Sequence, residues 1–418
     1  MTNRIGLFAV NLFVAAVLVC GTGTIRAASG SNAPIMIVTD SDFQSCGCVT
    51  GGSGSTTDPY VIGPLSINKT AEASAAVSID GTLLTKSFSL FNLTIAGNGT
   101  DSSIGILLNH INLSGSSKIS AQVTGAQTSI QSNGIGIVVE NSSFVTLDGG
   151  NANPNGAGIG RGAVGTINKN FIGAIDIENS NNITVKGWQM SANGQDNAPD
   201  FLAFDPSLSH WGVGAVRLFG STMVTIDHNA ANNCTTVSFA LFYSSHNTIS
   251  NNTADYPFTD NLLITDGSSY NLASNNVFST ADFVGILIAD PLQGTTTLST
   301  YGAAHDNVIQ GNSDHTDGPT GSEVSDGIAP AFVGGVVILN GAYNNTVRNN
   351  QLFASAGTDL GWAQAVPSSS SPNGVLSEPP VVQCNVTVSE GGGGVANHNG
   401  NVWSGNTFKK IDSCITQQ

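Results

Sequence analysis

His246-Asn-Thr-Ile-Ser-Asn-Asn252 returns as Tyr270-Asn-Leu-Ala-Ser-Asn-Asn276, Asp306-Asn-Val-Ile-Gln-Gly-Asn312 and Asn344-Asn-Thr-Val-Arg-Asn-Asn350. A worn copy closes the series at Asn401-Val-Trp-Ser-Gly-Asn406. Each copy carries one apolar residue at an inward position, with Asn or Gly closing a turn. Self-similarity of this kind is the signature of a solenoid. Aligned on the inward residue, Leu147, Val185, Ile226, Ile249, Ala273, Ile309, Val347 and Trp403 form one column. Its tightest spacings, about 23 and 24 residues, match one three-sided coil of a parallel β-helix.

About eight residues before each of these positions runs a second alternating strand. Examples are Ile137-Val138-Val139, Ile175-Asp176-Ile177, Val216-Arg217-Leu218, Phe239-Ala240-Leu241 and Ile286-Leu287-Ile288. Period-two alternation turns Ile175 and Ile177 inward and Asp176 outward. Each coil must round its corners through left-handed backbone angles, which Gly and Asn tolerate best. A column of Asn251, Asn275 and Asn349 is expected to supply those corners and to hydrogen-bond from coil to coil.

Composition agrees. The chain has 418 residues, 50 of them Gly, and only 10% are charged. Helix-favouring Glu, Lys and Arg are scarce, which points to strands and turns. The net charge of -16, with no Lys/Arg cluster, excludes a nucleic-acid partner, which would need basic patches to displace counterions. Regular apolar alternation separates the chain from acidic disordered sequences.

Residues 1–28 read as a signal segment: Arg4, then an apolar run from Ile5 to Cys20, then small residues around Ala27 and Ala28. The run is too short for a membrane-spanning helix and no later stretch could span, so the chain is read as exported, without an integral membrane segment. Cys20 is poorly placed for lipidation because Val19 precedes it. Cys46, Cys48, Cys234, Cys384 and Cys414 remain after cleavage, an odd number for an oxidising compartment. Cys384–Cys414 is the expected disulfide and Cys234 a buried thiol. Cys46 and Cys48 are either bonded to each other or free, and Cys46-Gly-Cys48 lacks the second pair a zinc site requires.

Gly52-Ser-Gly-Ser-Thr-Thr-Asp-Pro-Tyr-Val-Ile62 resembles the opening of NosD-like right-handed parallel β-helix proteins, and with the Asn-Asn coils the resemblance covers about residues 50 to 408. It implies an exported, all-β, right-handed β-helix sharing its fold with pectate lyases, whose related groups bind or cut polysaccharides. The copper-site role behind the NosD name does not carry over, because Met36, Met190 and Met223 are isolated and the seven His are scattered. The expected fold is a solenoid of roughly ten coils, capped near Asp58 to Leu65 and near Cys384 to Cys414.

The organisation expected is signal segment 1–28, N-terminal cap and first strand 29–64, β-helix 65–408 and C-terminal tail 409–418. Insertions fall near 150–173, 188–213, 291–304, 313–333 and 354–398. All but 291–304 follow the second strand and precede the next first strand, which would crowd them at one corner, where binding sites tend to arise. The outward column beside that corner reads Val138, Asp176, Arg217, Ala240, Leu263, Leu287 and Val337, largely apolar and expected to be covered.

Asp176 and Arg217 sit in neighbouring coils of that column, and Lys186 and Asp227 form a similar pair on the next face. One reading makes Asp176 and Arg217 the heart of a carbohydrate site, joined by Asp205 and His210 from the insertion, with Trp188 and Trp211 stacking on sugar rings. The resemblance supports it, since related lyases use basic residues to abstract a proton, with calcium held by carboxylates. The other reading makes both pairs cross-coil ion pairs worth at most about 1 kcal/mol each. No motif requires a metal, and calcium enters only as a bridge to an acidic glycan. The paired carboxylates of a glycoside hydrolase cannot be recognised without distances, no nucleophile elbow occurs, and His228 falls in the turn column. Outward Thr146, Thr184, Thr225, Thr248 and Thr346 form an array whose companion column (Lys186, Asp227, Ser250, Ser274, Gln310, Arg348) is too irregular for ice binding. The chain is therefore read as a carbohydrate-binding or carbohydrate-processing protein, with a non-catalytic structural or interaction protein as the alternative.

Overall fold

Three-residue strands of the type Thr-Ile-Ser bury one side chain each and cannot stand alone, so they stack. The computed structural model describes residues 33–68, 75–99, 103–112, 118–125, 127–150, 164–194, 213–234, 237–257, 260–281, 284–288, 302–315, 334–339, 342–353, 358–363 and 400–408. The chain is a right-handed parallel β-helix built from three sheets of 11, 12 and 10 strands. A representative coil runs through Gly173–Glu178 in the first sheet, Thr184–Lys186 in the second and Gln189–Ser191 in the third. No helix among the described residues is long and apolar enough to cross a membrane.

The expected register holds. Leu147, Val185, Ile226, Ile249, Ala273, Ile309, Val347 and Trp403 pair in order along the second sheet. All are buried and belong to one continuous core. Ile137, Ile175, Val216, Phe239, Leu262, Ile286 and Val336 form the matching column of the first sheet. The third sheet adds Ile130, Ile167, Met190, Ala231, Ala254, Phe278, Asp314 and Leu352.

At the bends the sequence reading needs revision. Asn251, Asn275 and Asn349 do take the left-handed conformation, with φ between 55 and 56°. The buried ladder, however, runs through the residue after each of them: Asn229, Asn252, Asn276, Asn312, Asn350 and Asn406. In each rung the backbone N–H and the side-chain amide both donate to the next Oδ1, as Asn276 does to Asn312 at 3.0 and 2.9 Å. The same amide also donates backward to a backbone carbonyl, that of Ile249 at 2.9 Å. A second ladder, Asn247, Asn271, Asn307, Asn345 and Asn401, lines the bend between the first and second sheets. Beside it, Ser142, Ser180, Ser221, Ser244 and Ser268 accept backbone N–H groups in the same coil-to-coil manner. Every one of these polar groups is buried, and every one is paired.

The N-terminal cap does not lie at Asp58 to Leu65. Tyr60–Ile62 and Leu65–Asn68 are already strands of the first coil, pairing with Phe88–Phe91 and Leu93–Ala96. The open end is closed upstream of them. Ile35–Thr39 adds to the first sheet, and Asp42–Ser45 forms a short helix whose Phe43 is buried, its ring 5.0 Å from that of Tyr60. The helix start is fixed by Asp42, whose carboxylate accepts the N–H groups of Val38 and Thr39. The signal segment 1–28, the Cys384–Cys414 pair and the tail 409–418 lie outside the described residues.

The insertions do not share one corner. Thr166–Asn168, Gln189–Ser191 and Ser313–His315 are third-sheet strands that sequence reading had placed inside insertions. Segments 195–212 and 316–333 therefore connect third-sheet to first-sheet strands, 151–163 connects second to third, and 289–301 and 364–399 connect first to second. Asn312→Ala should lower stability by about 3–5 kcal/mol, because two buried donors of Asn276 lose their acceptor. Asn275→Gly should stay within about 1 kcal/mol of the parent, both residues tolerating positive φ. Denaturant midpoints of the two variants test this division of labour; equal losses would contradict it.

Candidate functional site

The outward column of the first sheet is the natural place to begin. Val138, Asp176, Arg217, Ala240, Leu263, Leu287 and Val337 are consecutive in register. All seven are buried. The last four pack with Val237, Phe242 and Val284 into an apolar cluster separate from the solenoid core. Period-two alternation puts this column outside the sheet, so its burial agrees with the expected cover.

Asp176 and Arg217 meet as a bidentate pair. Arg217 donates from Nε to Oδ1 of Asp176 at 2.8 Å and from a terminal nitrogen to Oδ2 at 2.6 Å. The same terminal nitrogen donates to Glu178 Oε1, a partner sequence reading missed. Glu178 lies two residues from Asp176 on the same outward face, which was the available signal. The side chains of Arg217 and Asp176 are 5% and 4% exposed, so the pair is dry and outside the weak class worth at most about 1 kcal/mol. Burial disfavours the guanidinium charge, but Asp176 and Glu178 outweigh it and hold the Arg217 pKa above its ordinary value. The guanidinium therefore engages both carboxylates through charge-assisted hydrogen bonds.

The other expected site residues do not join it. Asp205, His210 and Trp211 lie outside the described residues. Trp188 is a core residue with no exposed surface, so its ring is unavailable to a sugar. Lys186 is adjacent to Asp227 in register, yet its ammonium bonds Asp148 of the preceding coil at 3.0 Å. Asp227 instead takes His228, Ser250 and Asn251. Its partial burial opposes ionisation, but those three partners outweigh it and draw its pKa down. His228 is a turn residue at φ 54°, as its position in the turn column suggested. Among the described residues no group of three or more His, Cys, Asp or Glu could hold a metal ion, calcium included.

A different surface carries a file of rings. At the bend between the first and second sheets, His246 and Tyr270 stack at 5.1 Å, and Tyr270 meets His305 edge-on at 5.8 Å. His305 then stacks on Tyr343 at 4.8 Å. Four rings from four consecutive coils thus form one file about 14 Å long, given a coil rise of ~4.8 Å. Tyr270 is 54% exposed, and Tyr243, in the coil of His246, is 51% exposed. Met223 and Phe144 extend the row toward the N-terminus at 57% and 39% exposure, with the Lys118 ammonium 3.4 Å above the Phe144 ring. Asp306 Oδ2 lies 2.8 Å from His305 Nδ1 and accepts from the ring N–H. Burial, then Asp306 and Tyr270, raise the pKa of the Tyr343 hydroxyl, which therefore stays protonated as a donor.

No family model and no curated protein matches the chain. Solved structures do align with it. DFA-IIIase from Arthrobacter chlorophenolicus A6 in complex with GF2 shares 11% identity over 83% of this chain and 72% of its own, with a TM-score of 0.45. The same protein without its lid gives 11% identity, 74% and 68% coverage and a TM-score of 0.43. The periplasmic alginate epimerase AlgG gives 10%, 92% and 82%, with a TM-score of 0.34.

Arg217→Ala should destabilise the protein by about 3–5 kcal/mol, since two carboxylates would be left without their buried cation. Replacing Arg217 and Asp176 together by Leu should recover much of that loss. Thermal or chemical denaturation checks both; a loss under about 1 kcal/mol for Arg217→Ala would return the pair to the weak, exposed class.

Proposed function

We propose that this chain is an exported, non-catalytic carbohydrate-binding β-helix protein that holds a neutral glycan along the row of Tyr243, His246, Tyr270, His305 and Tyr343. The observation that carries this reading is conformational. His246 and Tyr270 are held at φ 59° and 56°, and Met223 and Phe144 at 54° and 57°, at a corner where Asn182 and Asn344 occupy the same place in other coils. A left-handed non-Gly residue costs about 1–2 kcal/mol, and Asn is the cheaper choice. Large exposed side chains held in such conformations point to function.

The row suits a sugar chain better than a protein partner. His246 stacks on Tyr270 and His305 on Tyr343, so a ligand meets ring edges, the faces left open by the edge-on Tyr270–His305 contact, Tyr hydroxyls and imidazole nitrogens, a file of apolar and hydrogen-bonding contacts. The backbone beneath is fixed by the Ser221–Ser244–Ser268 and Asn247–Asn271–Asn307–Asn345 ladders, so binding would order little that is not already ordered. The net charge of -16 disfavours polyanionic glycans, leaving neutral ones. Export is supported by the signal-like residues 1–28.

Tyr270→Asn restores the residue that fits the corner elsewhere. It should weaken glycan binding about tenfold or more, equivalent to about 1.4 kcal/mol, while leaving thermal stability unchanged or slightly raised. His305→Ala should weaken binding similarly. A glycan array followed by calorimetry on the best ligand makes the measurement. Binding that survives both changes, or a parent protein that takes no neutral glycan, would end this reading.

A further inference from the structure

Cys46 and Cys48 are bonded to each other across a single residue. We infer that this Cys46-Gly47-Cys48 bridge is a thiol–disulfide exchange site at the N-terminal end of the solenoid, with Cys46 the exchanging sulfur and Cys48 the resolving one. Its substrates are exposed thiols and disulfides of other molecules in an oxidising compartment.

Four observations support it. The bridge closes a loop of two residues' separation, and the constraint a disulfide places on the unfolded chain shrinks with loop length, so stabilisation is a poor explanation for it. The elements on either side are held without it. Phe43 is buried in the core, the Cys46 N–H donates to the Asp42 carbonyl at 2.9 Å, and Val49–Gly51 pairs with Tyr60–Ile62. The two sulfurs also differ in access: Cys46 is partly exposed beside exposed Gly47, whereas Cys48 is 1% exposed. Lastly, the Cys48 backbone N–H donates to Cys46 Sγ at 3.1 Å, so a polar donor lies against the sulfur that is open to attack. Gly47, at φ 64°, supplies the left-handed turn that brings the sulfurs together.

The chemistry balances as ordinary exchange. An external thiolate attacks Cys46 Sγ, forming a mixed disulfide and expelling the Cys48 sulfur, which takes up a proton. A second external thiolate then attacks the external sulfur of the mixed disulfide, releasing Cys46 as thiolate. Two external thiols are oxidised to one disulfide and the Cys46–Cys48 bridge is reduced to a dithiol. In reverse, the Cys46 thiolate attacks a substrate disulfide and Cys48 resolves the intermediate. Cys234 takes no part, being fully buried, with burial pushing its thiol pKa up to about 12.

The test uses the full mature chain in buffers of graded reduced and oxidised glutathione, quenched with N-ethylmaleimide and mapped by peptide mass. The Cys46–Cys48 peptide should gain two labels at a rate that rises linearly with thiol, while Cys234 stays unlabelled. In Cys48→Ser, glutathione should be trapped on Cys46; in Cys46→Ser, trapping on Cys48 should fall at least tenfold. The parent protein should also oxidise a dithiol peptide at least tenfold faster than Cys46→Ser. The inference is overturned if the bridge resists reduction in the folded protein, if both single variants trap glutathione equally, or if Cys46→Ser oxidises the peptide as fast as the parent. The kinetics of the unmutated chain decide the matter even if a variant folds poorly.

Discussion

A side-chain amide that gives and accepts along the solenoid axis is the interaction on which the rest of the molecule depends. Within the sheets, backbone groups pair with the coils above and below. At each bend the backbone turns away from that direction and its N–H and C=O groups would be stranded in the interior, where an unmade hydrogen bond costs about 1–3 kcal/mol. Asn is the one side chain of the right length to act as an extra peptide group there. Asn252, for example, accepts from Asn229 and donates to Asn276 and to the Ile226 carbonyl. Because each rung touches the next, the ladder fixes the spacing of the coils as well as the shape of each bend.

That fixed spacing explains how so polar an interior coexists with so few charges. Where the ladders satisfy the bends, the walls are free to be largely apolar, and among the described residues buried charges interrupt them at Asp176 and Arg217 on the outer face of the first sheet, at Asp260 and at Asp314 in the third-sheet column. Asp176 and Arg217 are in register, and the guanidinium reaches Glu178 as well. A buried pair of this kind contributes little net stability compared with an apolar isostere, but it is specific in register, since sliding one coil past another would strand three charges. A registering role accounts for the residues without chemistry.

Much of this architecture was legible in the sequence. The inward column from Leu147 to Trp403 followed from repeat alignment alone, since one apolar residue per strand between polar neighbours admits a single facing. The third sheet was not legible. Strands such as Gln189–Ser191 and Ala230–Asn232 span three residues, too few for alternation to register, and Ala231 presents only a methyl to the core. Missing that sheet moved the insertions to one corner and turned Trp188 outward, whereas it follows the Gly187 turn into the core. The cover over Asp176 was suggested by the apolar outward column around it and not by alternation, which gives the side of a sheet and never what lies on it.

Two rings of the exposed file, His246 and Tyr270, stand in the repeat at the position that varies, and the other two, His305 and Tyr343, stand one residue before it. The first letter of the phrase runs His246, Tyr270, Asp306, Asn344, while the Asn that follows never changes. The invariant letter is the ladder and the variable letter faces solvent, so variation marks freedom from the fold. Two magnitudes bear on whether that freedom is idle. Holding a ring at positive φ costs about 1–2 kcal/mol, and stacking it on the ring of the next coil returns about 0.5–1.5 kcal/mol. The two nearly cancel, so stability neither demands nor forbids an aromatic there. What stability leaves undecided is the outward edge of each ring, and for Tyr270 more than half the residue remains exposed. A scaffold that fixes its corners so firmly can carry such residues at almost no net loss, and that tolerance lets a rigid solenoid keep a binding surface on its bends.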